Sequence, residues 1–263
     1  MRIEGVHVLL TGATGGLGQA IARELGGRGA RLSLTARRGE VLDALAAELD
    51  ARPLTVDLSD RDDVQRLVAD AGAVDVLVAN AALPASGRLD TFTSEQIDRA
   101  LEVNLRAPIA LAHALAPGMV TRGYGQLVFM SSLSGKVTSA GASLYNATKF
   151  GLRGFALALR AELREAGVGA SAVFPGFIRE AGMFADTGVK LPPGVGTKSP
   201  QDVARAVVEA IEHDRAEVDV APLGLRVSAA FAGVAPEAAA RLGRRLGADD
   251  IAAGMAAGQT DKR

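Results

Sequence analysis

Short apolar runs alternate along the chain with longer stretches in which apolar residues recur every three or four positions. The runs at 6–11, 31–35, 54–56, 74–79, 126–130, 169–174 and 217–220 read as strands. The stretches at 17–28, 39–50, 144–165 and 200–213 read as helices, the last opened by Ser199 with Pro200 at its first position. Two more helices are expected, one capped by Ser59 and ending near residue 71, the other capped by Ser94 and ending near residue 116. The strands are nearly continuous in apolar residues, the pattern of strands buried on both faces. Alternation of this kind predicts a doubly wound α/β fold, a seven-stranded parallel sheet with helices on both faces. Two segments break the rhythm. Residues 176–199 are rich in Gly and Pro and read as a loop or lid. Residues 222–263 form a helical tail that the sheet at 1–221 does not need, with a polar end at 258–263 that is expected to fray.

The first candidate chemistry lies in the turn after the first strand, Thr11-Gly12-Ala13-Thr14-Gly15-Gly16-Leu17-Gly18. Glycines let a ligand approach the backbone closely. A helix start offers free N–H groups and the positive end of the helix dipole, which suits a pyrophosphate. In the first strand–helix unit of such an alternation, this turn points to a Rossmann-like nucleotide site.

About 130 residues further on stands Tyr145-x-x-x-Lys149. Together the two motifs resemble the short-chain dehydrogenase/reductase family, in its short single-domain type. Other landmarks match in order. Asp57, in Val56-Asp57-Leu58, resembles the aspartate that contacts the adenine amino group. Ala79-Asn80-Ala81-Ala82 resembles the family's Asn-Asn-Ala-Gly turn, with departures. Asn104 stands where the family has its active-site Asn, Ser131-Ser132 ends the fifth strand, and Pro175-Gly176 ends the sixth. The resemblance spans residues 3 to about 221. It implies an NAD(P)-dependent oxidoreductase that forms a homodimer or homotetramer through the helices carrying Asn104 and Tyr145.

The end of the second strand bears on the choice of cofactor. An acidic residue there would bind the ribose diol and repel a 2′-phosphate. The chain reads Thr35-Ala36-Arg37-Arg38, with no acid and two guanidinium groups able to fork onto a phosphate. NADP(H) is therefore favoured and NAD(H) remains possible. The cofactor is expected to touch Gly12, Thr14, Gly15, Gly16, Leu17, Gly18, Arg37, Arg38, Asp57, Leu58, Asn80, Ala81, Ala82, Tyr145, Lys149, Pro175, Gly176 and Ile178.

Tyr145 and Lys149 are four apart on a helix and share a face. A cation near a phenol favours the phenolate, so Lys149 is expected to lower the Tyr145 pKa toward the range useful for general acid–base work. Ser132, 13 residues earlier at a strand end, can hold a carbonyl oxygen. The resemblance adds two roles: a hydrogen bond from Lys149 to the nicotinamide ribose, and a water anchored by Asn104 that relays protons to Lys149. One departure stands out. Many family members carry Thr where this chain has Glu180 after Pro175-Gly176-Phe177-Ile178-Arg179. Arg179 is a candidate pyrophosphate contact in its place.

Ser132, Leu133, Tyr145, Phe177, Met183 and Phe184 are the expected substrate contacts, and a small, mainly apolar carbonyl or alcohol is the expected partner. Two other functions fit the same scaffold: a non-catalytic NADP-binding regulator, and an epimerase or dehydratase.

Composition acts by exclusion. With 29 basic against 30 acidic side chains in 263 residues, the chain lacks the basic excess of a nucleic-acid binder. Absence of Cys removes disulfides and thiol catalysis, and the scattered His7, His113 and His213 read as structural, so no metal is expected. The start lacks a signal-peptide pattern and no uncharged apolar run reaches ~18 residues. A soluble cytoplasmic setting is expected, without a membrane partner. The tail could pack over the cleft, mediate assembly, or lie on a membrane through Phe231, Val234 and Leu242 beside Arg241, Arg244 and Arg245; a docked helix is the commoner outcome.

Overall fold

The computed structural model describes residues 1–192 and 194–259. Seven strands build one sheet: β1 (His7–Thr11), β2 (Arg31–Ala36), β3 (Arg52–Thr55), β4 (Val76–Ala79), β5 (Gly125–Met130), β6 (Val168–Pro175) and β7 (Glu217–Val220). Their spatial order is β3-β2-β1-β4-β5-β6-β7 and every pairing is parallel. The chain reverses direction across the sheet between β1 and β4, which opens a crevice at the carboxyl ends of those strands.

Helices α1 (Gly16–Gly27), α2 (Gly39–Leu49), α3 (Arg61–Ala71), α4 (Ser94–Leu101), α5 (Ala107–Arg122), α6 (Ser143–Leu163) and α7 (Pro200–His213) connect the strands. The sheet separates two cores, and strand alternation feeds both. Val8 and Leu10 of β1 pack with Ile21, Leu25, Val203 and Val207 from α1 and α7. Leu9, between them, packs on the other face with Leu67, Leu111 and Leu152 from α3, α5 and α6.

Several boundaries differ from the sequence expectation, each for a local reason. Asp60, not Ser59, caps α3, accepting from the Asp62 and Asp63 N–H groups, because the Ser59 hydroxyl is committed to Asp57. Thr93, not Ser94, caps α4, through a capping box with Gln96. The expected helix from 94 to 116 is broken by a π-turn at Glu102–Arg106, centred on Asn104. β3 begins at Arg52; its exposed Arg52-Pro53 start suits an edge strand. Ser199 caps α7 as expected, in a capping box with Asp202.

Residues 176–192 and 194–199 are irregular, with a short helical turn at Ala185–Thr187 and one parallel bridge, Ile178 to Lys198. Beyond β7 the tail forms α8 (Leu223–Val234), α9 (Pro236–Arg245) and α10 (Ala248–Gln259). Of the polar end expected to fray, Gly258 and Gln259 belong to α10, and 260–263 lie outside the described residues.

Candidate active site

A cavity of about 940 Å³ occupies the crevice at the carboxyl ends of the strands. All eighteen residues expected to touch a cofactor line it, from Gly12 to Ile178.

The glycine turn is shaped by close contacts. Gly12 has φ of +67°, and a Cβ there would lie 2.8 Å from the Ala81 Cα. A Cβ on Gly18 would strike the Gly12 carbonyl, so helix α1 can sit against the turn only with glycine there. The side chains of Thr11 and Asn80 lock the turn to the end of β4. The Thr11 hydroxyl accepts from the N–H groups of Asn80 and Ala81, both at 3.0 Å, and Asn80 Nδ2 donates to the Thr11 and Gly12 carbonyls. From the lid, Ala181 presses directly on Gly16.

Next to this turn, Arg38 donates to the Thr14 carbonyl at 3.1 Å, which holds its guanidinium over the glycine segment. Arg37 lines the wall opposite Asp57. Burial pushes the Asp57 carboxyl up, but it accepts from the Ser59 N–H at 2.9 Å and hydroxyl at 2.7 Å and faces Arg37 and Arg99, and the net shift is downward.

At the far end of β5, Ser132, Tyr145 and Lys149 share the cavity wall. The Ser132 hydroxyl accepts from the Ser134 N–H at 3.1 Å and is hydrogen-bonded with Tyr145. Lys149 is 2% exposed and donates to the Met130 carbonyl at 2.8 Å, with its ammonium 5.6 Å from the Tyr145 ring centre. The expected lowering of the Tyr145 pKa is not found. Crowding by protein around the phenol raises it to about 12, against a smaller downward pull from the Ser132 hydrogen bond. Burial also lowers Lys149 to about 8. The lysine cation is thus itself disfavoured, and its ammonium is bonded to a carbonyl.

Four expected site residues are not brought to the cavity. Asn104 is fully buried and its amide is committed to Leu83, accepting from its N–H at 2.6 Å and donating to its carbonyl at 2.9 Å. It therefore holds the turn after β4, whose Leu83 and Pro84 line the cavity. Leu133 packs into the core instead. Phe177 and Phe184 pack on each other, with ring centres 4.9 Å apart, which turns both away from the lining that Met183 joins. Arg179 is also elsewhere: it pairs with Glu180 at 2.8 Å and donates to the Thr197 carbonyl.

Sequence reasoning missed other lining groups, among them Arg99 on α4, Met130, and Glu180, Ala181 and Gly182 in the lid. Arg99 looks like any arginine of an exposed helix face. Main-chain carbonyls such as that of Met130 leave no mark in a sequence. Glu180 was visible only as a departure, and its φ of +74° shows the sharp bend that carries Ala181 onto Gly16.

The family model for short chain dehydrogenases matches residues 6–190. Ketoacyl reductase HetN of Nostoc sp. is 36% identical over 227 residues, covering 83% of this chain and 79% of that protein. Among solved structures, a short-chain dehydrogenase from Sphingobium yanoikuyae in complex with NADPH is 28% identical with a TM-score of 0.78, covering 89% of this chain and 94% of that one. A 3-ketoacyl-(acyl-carrier-protein) reductase from Brucella melitensis complexed with NADH is 25% identical with a TM-score of 0.74, covering 83% and 97%.

Proposed function

The chain belongs to the short-chain dehydrogenase/reductase family, and on that premise we propose that it is an NADP(H)-dependent oxidoreductase interconverting a carbonyl and an alcohol. The observation that carries this reading is the convergence of Ser132, Tyr145 and Lys149 on the same cavity as the glycine turn and the Arg37–Arg38 pair. The residues present fit a nicotinamide dinucleotide. The glycines at 12, 16 and 18 let the turn pack closely on Ala81, Ala181 and its own main chain, the turn opens helix α1 beside the cavity, and an acidic residue is missing where β2 ends. Arg37 and Arg38 would hold the 2′-phosphate, Asp57 the adenine, and Pro175, Gly176 and Ile178 the nicotinamide face.

When bound, the dinucleotide supplies the hydride. The chain's own part is orientation and proton transfer. The Ser132 hydroxyl holds the carbonyl oxygen. Tyr145, with its pKa pushed up, keeps its proton at neutral pH and gives it to that oxygen as charge develops there. Lys149, near half-protonated at about pH 8, stands behind the phenol as the proton source that resets it. Asn104 acts as a positioning residue, fixing Leu83 at the substrate end. Similar structures complexed with NADPH and NADP+ support NADP(H), and one complexed with NADH supports NAD(H) as possible. The ketoacyl reductases among the similar proteins support starting a substrate panel with ketoacyl compounds.

The test is NADPH consumption against a panel of ketones and aldehydes, read at the nicotinamide absorbance. Tyr145→Phe should lower turnover by roughly 10²–10⁴-fold and leave NADPH binding unchanged. Turnover that persists in this variant refutes the mechanism. A chain that binds NADPH and turns over none of the panel is instead a regulator.

A further inference from the structure

The tail carries a concentration of uncovered apolar side chains. Of the twelve exposed large hydrophobic residues among the described residues, six lie between 223 and 246. On α8 these are Leu223, Val227, Phe231 and Val234, at 71%, 60%, 44% and 86% exposure. Their spacing of four, four and three places them within an arc of about 80° at 100° per residue, a single stripe along the helix. Leu242 and Leu246, four apart at the end of α9, add a second exposed pair. A helix that packs on its own sheet buries such a stripe; α7 does so with Val203, Val207 and Ile211.

Charge selects the occupant. The stretch 223–246 holds four arginines (Arg226, Arg241, Arg244, Arg245) and one acidic residue, Glu237, in a chain whose net charge is −1. Arg241, Arg244 and Arg245 are exposed, and no ion pair of theirs is found among the described residues. A two-fold contact with a second copy would set this excess against itself. An apolar stripe flanked by arginines matches an anionic lipid surface, with the stripe in the acyl boundary and the guanidinium groups at the headgroups. No helix among the described residues is long and apolar enough to cross a membrane, so the contact would be peripheral.

We infer that α8 and α9 form a docking face for an anionic membrane surface. The root of this face adjoins the cavity. Ala221, just before α8, packs on Gly176 of the cavity wall, and Pro222 meets Gly196 of the lid. Docking would thus bring the lid side of the cavity close to the bilayer. The inference stands apart from the catalytic reading, since its test measures binding alone.

The test is co-sedimentation of the full chain with vesicles of phosphatidylcholine alone and with about 30 mol% phosphatidylserine, over a range of salt. The chain should pellet with the anionic vesicles, at least tenfold more tightly than with the neutral ones, and the difference should shrink as salt rises. The double variant Val227→Asp, Val234→Asp should lose binding at least tenfold while keeping its thermal midpoint, because both positions are solvent-exposed. Arg241→Gln, Arg244→Gln, Arg245→Gln should weaken it about a hundredfold, at roughly fivefold per arginine. Failure to pellet with anionic vesicles, or equal pelleting with both, overturns the inference. So does a stripe-dependent dimer in sedimentation velocity without vesicle binding.

Discussion

Two walls of the same cavity are built in opposite ways. From Gly12 to Asn80 the wall is main chain held by the sheet: the glycine turn rests on Ala81, and Thr11 and Asn80 tie it to β4. From Glu180 to Asp186 the wall is a loop with one bridge, Ile178 to Lys198, and one short helical turn. Its outer side rests on α10, where Gly254 and Gly258 allow Val189 and Thr187 to come close and Gln259 reaches toward the Met183 carbonyl. The first wall is fixed by pairing that is local to each strand end. The second is fixed by a helix some 70 residues away, so its geometry is a property of tertiary packing.

Lys149, bonded to the carbonyl at the end of β5, gives the largest pH-linked stability effect expected. Its folded pKa of about 8 lies below the ordinary 10.5. Between those values the unfolded chain binds the extra proton, so stability should rise with pH from about 8 to 10.5, by about 3 kcal/mol in all. Below pH 8 both states are protonated and the contribution is flat. The raised Tyr145 acts oppositely and later, removing stability as pH climbs from 10 toward 12. Denaturant titrations of the wild type and Lys149→Met across pH 7–11 read the difference. Parallel curves would mean that the ammonium is not desolvated, and the wall looser than described.

The glycine turn offers a sharper internal contrast. Gly18→Ala drives a methyl into the Gly12 carbonyl, whereas at Gly15 the nearest atom to an added Cβ is 3.5 Å away. Overpacking of this kind costs about 1–3 kcal/mol, so Gly18→Ala should lower the thermal midpoint while Gly15→Ala leaves it unchanged. Equal effects at the two positions would show that the turn yields as easily as the lid. Arg37→Ala with Arg38→Ala should weaken NADPH about ten- to a hundredfold and leave NADH unchanged, as expected for lost charge-assisted bonds. Binding titrations with both dinucleotides check it.

The difference between the walls also explains what was legible in the sequence. The seven-stranded parallel alternation follows from the apolar runs, and the glycine turn, Asp57, Asn80 and the Ser132–Tyr145–Lys149 set follow from residue types on those elements; each of these site residues lines the cavity. The lid residues were named by composition, and composition gives no direction. Phe177 and Phe184 are apolar enough to meet a substrate, yet two aromatic rings within reach of each other satisfy that preference together. The Tyr145 pKa failed for a related reason. Spacing places a lysine near a phenol, but the desolvation of each group is a tertiary fact, and it sets the direction of both shifts. The π-turn at Asn104 is likewise invisible in a helical pattern, because one extra residue in a turn leaves the apolar spacing on either side intact.

The smallest expected effect separates the walls most cleanly. With Thr absent after Pro175-Gly176, Arg179 is the only arginine in the segment and the natural candidate for a pyrophosphate contact on the lid side. In the structure its guanidinium is half-exposed and paired with Glu180, and it does not line the cavity. An exposed pair of this kind contributes little, about 0–1 kcal/mol. Arg179→Ala should therefore leave the NADPH dissociation constant unchanged within about twofold and the thermal midpoint nearly so. A tenfold loss of NADPH affinity, with NADH reduced equally, would mean that the lid swings Arg179 onto the phosphates when the cofactor binds. The wall now described as resting on α10 would then be a moving part, and Gln259→Ala, which frees the Met183 carbonyl, should change NADPH affinity as well.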